Sequence, residues 1–122
     1  MQRLAVMFRV RPGTEDKVRE LLSGYEPPKQ LEDGENRLLS TSVFMKDGLV
    51  VRMIEIEGEL PALMRHLSQD PSIQRVEREL DRYLVEEDRR DMSSPEGARE
   101  FFLRAMMETV TTRVAPPREA RA

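Results

Sequence analysis

Two β-rich runs flank an Asp47-Gly48 pair within residues 37–57, and that pair is the strongest short-range hairpin signal in the chain. Counting outward from a two-residue turn sets Lys46 opposite Leu49, Phe44 opposite Val51, Val43 opposite Arg52, Ser42 opposite Met53 and Thr41 opposite Ile54. One face of the hairpin then carries Leu39, Thr41, Val43, Met45, Val50, Arg52, Ile54 and Ile56, an aliphatic surface suited to a cover of helices and interrupted only by Arg52. The other carries Leu38, Ser40, Ser42, Phe44, Val51, Met53 and Glu55, apolar in the middle and polar at the margins, as expected of a surface that meets another protein.

The same periodicity assigns the rest. Residues 3–11 alternate, with Leu4, Val6, Phe8 and Val10 on one face, and read as a strand ended by Pro12-Gly13. Thr14 as N-cap, acids in the first turn and Val18, Leu21, Leu22 and Tyr25 at helical spacing predict an amphipathic helix. Residues 26–36, with two prolines and an Asp-Gly, read as a long loop of the kind that forms lids. Leu60, Leu63, Met64 and Leu67 mark a second helix, and Asp70-Pro71 stops it and starts a third with Ile73, Val76 and Leu80 inward. Residues 83–87 are the candidate fourth strand.

A charged run, 86–91, reads as a linker, and Ser93-Ser94-Pro95-Glu96 as the cap of a last helix whose stripe is Ala98, Phe101, Phe102, Ala105 and Met106. Residues 108–114 have the composition of an edge strand, and the tail 115–122 is expected to be disordered. Strand, helix, strand, strand, helix, strand is the ferredoxin-like order: an α+β domain over 1–114, with a core in 1–88, a C-terminal helical extension in 92–114, an antiparallel sheet, helices on one face and the other face bare.

Composition narrows the chemistry. The 122 residues carry a net charge of -3, with charges of both signs interspersed, so no basic field points to nucleic acid or an anionic membrane. With no apolar run of membrane-spanning length and no secretory signal, the expected location is cytoplasmic. The absence of cysteine excludes thiolate chemistry and cysteine-ligated metals, and a single histidine, His66, excludes His-rich sites. His66 falls off the apolar stripe of its helix and reads as solvated. No nucleotide-binding, nucleophile-elbow or zinc-protease motif occurs.

Arg52 stands apart. A guanidinium among aliphatics requires a carboxylate such as Glu26, an escape to the sheet margin, or a ligand. Tyr25 ends the first helical stripe over the same face, as an ordinary rim aromatic or as a functional hydroxyl. Met45 and Met53 suit either a core or an adaptable cavity.

The opening RLAVMFRVRPGTEDKV, the stretch NRLLSTSVFMKDGLVVRMIEIEGEL, the run LMRHLSQDPSIQRVERELDRYL and the terminal SSPEGAREFF together resemble the SchA/CurD-like family, which accompanies aromatic polyketide and spore-pigment gene sets in actinomycetes. The first ninety or so residues are more distantly similar to tetracenomycin-type polyketide cyclases. That resemblance implies a dimeric α+β barrel in which two sheets face each other, a homodimer covering Phe44, Val51 and Met53, and a cavity between sheet and helices. It implies cyclisation or aromatisation of a poly-β-ketone without cofactor or metal, with Arg52 and Tyr25 catalytic and Thr41, Val43, Met45 and Glu26 against the aromatic polyketide intermediate. A cofactor-independent monooxygenase and a non-catalytic, chaperone-like component of the biosynthetic complex are the alternatives. The chain departs from those cyclases in lacking a histidine at either site position, and 92–114 has no counterpart in them.

Overall fold

A computed structural model of the chain describes residues 1–91 and 96–118, the side chain of Ala98 excepted. The expected cap at Ser93-Ser94-Pro95 lies outside the described residues, as does the inward placement of Ala98. Three strands, β1 (Gln2–Arg9), β2 (Arg37–Lys46) and β3 (Leu49–Glu57), form one antiparallel sheet in the order β1-β3-β2. Among the described residues four α-helices accompany it: α1 (Glu15–Gly24), α2 (Leu60–Ser68), α3 (Pro71–Asp81) and α4 (Gly97–Ala105).

The hairpin has the counted register. Asp47 and Gly48 both take positive φ, 52° and 80°, the backbone of a turn whose twist matches the strands it joins. Val43 lies opposite Arg52, and Phe44 opposite Val51, as the turn dictates. The alternation fails only at the far end, where Leu38 pairs with Ile56 and Ser40 with Glu55, leaving Leu39 as an extra residue in a bulge. A bulge places two residues opposite one, so the expected split of Leu38 and Leu39 between faces does not hold.

Phe8, Val10 and Val50 on one sheet face pack with Val18 and Leu22 of α1, Val76 and Leu80 of α3, Leu84 and Phe101 into one buried cluster. The helices therefore cover much of the aliphatic face, while Val43 on β2 stays 40% exposed. Across the sheet, Phe44 is 56% exposed and Met7 is exposed as well.

The fourth strand is a correction. Leu84 makes a single bridge to Val10, supported by Arg11 N–H to the Tyr83 carbonyl at 2.8 Å and Val85 N–H to the Arg9 carbonyl at 3.0 Å. The chain then turns into a short 3₁₀ segment, Glu86–Asp88, and the Asp88 carboxylate accepts from Arg9 N–H at 2.7 Å. A side chain thus takes the place of the next ladder partner and the strand cannot extend. Residues 108–114 form no strand either. The chain instead touches β1 just before that segment, through a Val6–Met106 bridge and Met107 N–H to the Ala5 carbonyl at 2.8 Å. Together these contacts occupy an edge that would otherwise offer unpaired backbone groups.

Candidate functional site

Arg52 is held on the helix-covered face by its pairing with Val6 on one side and Val43 on the other. Its side chain is 20% exposed, and its Nη1 donates to Glu77 Oε1 at 2.9 Å. Glu77 projects from α3, whose N-terminus is capped by the Asp70 carboxylate on Ser72 and Ile73 N–H, fixing where its inward face points. Arg90 meets the same carboxylate from the opposite side. Its Nη2 pairs with Glu77 Oε2 and its Nη1 donates to the Glu77 carbonyl at 2.9 Å, while its backbone N–H is tied to Asp81 at 2.9 Å. The Phe101 ring of α4 lies 4.3 Å from the Arg90 guanidinium carbon, a cation–π contact.

One carboxylate therefore serves two arginines. Burial pushes Glu77 toward its neutral form, but the charges of Arg52 and then Arg90 outweigh it and hold the carboxyl below its usual range. For Arg52 burial likewise opposes the charge, and Glu77 with a smaller contribution from Tyr25 reverses that, leaving the guanidinium more firmly protonated than usual. The group is a permanent cation.

Beside this cluster lies a half-open cleft of about 870 Å³ lined by the sheet and the helices, which also reaches Ser40, Ser42 and Met53. Its wall is chiefly apolar, with Val6, Ile54, Met64, Leu67 and Ile73 among its residues, and Phe101 and Phe102 of α4 line it as well. The volume falls among those of small-molecule sites, about 300–1,000 Å³, and a mostly apolar wall with a few convergent polar groups is their usual chemistry. Arg52, Tyr25, Thr41 and Val43 all line the cleft. Thr41 and Val43, both on β2, are exposed where they line the cleft.

Two expected site residues are not among the lining. Met45 packs against the core, where its sulfur receives a long contact from Arg19, and Glu26 is exposed at the start of the loop. The carboxylate that meets Arg52 is Glu77, not Glu26. Its signal was present: Ile73, Val76, Glu77 and Leu80 stand at i, i+3, i+4 and i+7, so an acid occupies a slot of the apolar stripe. His66 is half-buried rather than solvated, paired through Nε2 with the Lys29 carbonyl, which ties the 26–36 loop to α2. Gln30 of that loop bonds both backbone groups of Leu38, so the loop lies along β2 beside the cleft. Among the described residues no three metal-ligating side chains converge, and no helix is long and apolar enough to cross a membrane.

The fold is shared with tetracenomycin F2 cyclase from Streptomyces glaucescens, a type-II polyketide cyclase, at a TM-score of 0.59 and 15% identity over 95% of this chain and 100% of that one. The sequence is 44% identical over 108 residues to polyketide synthase CurD of Streptomyces cyaneus, covering 88% of this chain and 29% of that protein. It is 43% identical over 116 residues to a 42.8 kDa protein in the whiE locus of Streptomyces coelicolor, covering 95% of this chain and 29% of the relative. Protein SchA of Streptomyces halstedii matches at 39% over 108 residues, 88% of this chain and 28% of its own length. The chain thus spans under a third of the length of these relatives. The family described as SchA/CurD like domain matches residues 1–115, and the chain belongs to that family.

Proposed function

We propose that the protein is a cofactor-free polyketide cyclase or aromatase that folds a poly-β-ketone within the cleft. The observation that carries this reading is a permanent guanidinium, Arg52, with the Tyr25 hydroxyl beside it, in the wall of an apolar cleft large enough for a polycyclic ligand. Carbon between two carbonyls is acidic, so the barrier falls when a fixed cation stabilises the enolate oxygen as it forms. Solvent at the cleft mouth takes the proton that leaves that carbon, carbon–carbon bond formation leaves an alkoxide that takes a proton from Tyr25, solvent reprotonates Tyr25, and loss of water completes the ring. The apolar walls confine the chain to folded conformers and keep competing water away.

The test compares the wild-type protein with Arg52→Met on a linear poly-β-ketone released by a minimal synthase, following products by mass and oxygen by electrode. We expect one dehydrated cyclic product without oxygen uptake, and a loss of about 10²–10³-fold in the variant, the scale of removing one oxyanion donor. Oxygen consumed in step with product identifies a monooxygenase instead. A product mixture identical to spontaneous cyclisation identifies a non-catalytic component.

A further inference from the structure

Glu77 is held more securely by Arg90 than by Arg52. Arg52 reaches it with one nitrogen, whereas Arg90 grips both its side chain and its main chain, is itself anchored to Asp81, and lies against Phe101 with its side chain only 8% exposed. In a simple ion pair, an arginine that turned to a ligand would abandon a buried carboxylate, a change too costly to be useful. Here the carboxylate keeps a partner. We propose that Arg90 is a positioning residue which neutralises Glu77 so that Arg52 is free to engage an anionic oxygen of the cleft's ligand, making the site selective for ligands that carry a delocalised oxyanion.

Charge supports the assignment. Among the described residues lining the cleft, Arg52, Arg78 and Arg90 face Glu77 and Asp91, three positive groups against two negative. The two arginines and one carboxylate at the centre hold the same excess of one positive charge, which an anion would cancel. The oxyanion can belong to a carboxylate at a chain end or to an enolate or phenolate in the folded chain. The inference rests on the proposed function only in taking the cleft as the ligand site.

The experiment measures binding of 2-naphthoate, its neutral counterpart 2-naphthamide, and 2-naphthol titrated through its ionisation, by calorimetry on the full chain. The wild-type protein is expected to prefer naphthoate to naphthamide by about tenfold or more, the worth of one charge-assisted hydrogen bond. Arg90→Met, which leaves Arg52 locked to Glu77, should reduce that preference to about twofold or less, while Arg90→Lys, which keeps the charge without the planar fork, should fall between the two. Adding Glu77→Gln to Arg90→Met should restore the preference, which a merely structural role for Arg90 would not do. Should Arg90→Met fail to fold, Glu77→Gln alone decides, and its preference must exceed that of the wild type. Naphthol binding that strengthens on ionisation assigns the site to enolates and phenolates, and naphthoate preference without it assigns the site to carboxylates. No discrimination by the wild-type protein, full discrimination in Arg90→Met, or no restoration in the double variant overturns the inference. Cyclisation of the poly-β-ketone alongside such a result would leave the proposed function standing.

Discussion

Removing Glu77 should cost far more than removing Arg52, its partner across the cleft wall. Glu77→Leu leaves the helix propensity of α3 unharmed but strands two guanidiniums, one 20% and one 8% exposed, without the acid between them. Breaking a buried pair by deleting one partner typically costs about 3–5 kcal/mol, and here two cations are orphaned, so the loss belongs in that range despite partial access to solvent. Arg52→Met differs because Glu77 still has Arg90 on its other oxygen, and a thioether stem fits among Val6, Val43 and Ile54. Its stability should stay within about 1 kcal/mol of the wild type. Urea unfolding at neutral pH measures both. The acid limb gives a second reading: since the folded pKa of Glu77 lies below its usual 4.5, its stabilisation is present above that value and is lost as pH falls below it through the folded pKa. Glu77→Leu should flatten that part of the profile. Equal costs for the two variants, or an unchanged acid limb in Glu77→Leu, would refute the shared-carboxylate account.

Three further outcomes are expected. The bare sheet face, with Phe44 56% exposed, is expected to pair with a second copy, so light scattering should give a dimer for the wild type and a folded monomer for Met53→Glu; a wild-type monomer would show the face to be free. Phe101 is buried against Phe8 and Arg90, and Phe101→Ala should cost about 3–5 kcal/mol in thermal or urea unfolding, whereas a detached α4 would give no loss. Gly58 takes φ +90° and a Cβ there would stand 2.2 Å from Asn36 Oδ1, which accepts the Glu59 N–H at the start of α2, so Gly58→Ala should destabilise by roughly 1–3 kcal/mol; a neutral change would mean that the Asn36 link does not hold this end of the fold.

The hairpin was legible because its determinants are local. A two-residue turn needs positive φ at both positions, Asp47-Gly48 supplies them, and the register follows by counting, so Arg52 could be placed among aliphatics from the sequence alone. The helical stripes were legible for the same reason, since burial at a period of 3.6 leaves its mark on the chain. Tertiary structure decided what meets what. Which acid answers Arg52 depends on how α3 crosses the sheet: Glu77 interrupts an apolar stripe in the sequence, but only that crossing brings it, rather than Glu26, to the guanidinium. Arg90 had no signal, because a run of charges looks the same whether water or a folded neighbour surrounds it. It becomes buried only when Asp81 anchors its backbone and α4 brings Phe101 against its guanidinium. The fourth strand fails for a similar reason: residues 83–87 have strand propensity, but the Asp88 side chain takes the Arg9 N–H that a longer ladder would need. Propensity and period are written residue by residue, whereas competition for a hydrogen-bond donor or a shared charge exists only once distant segments meet.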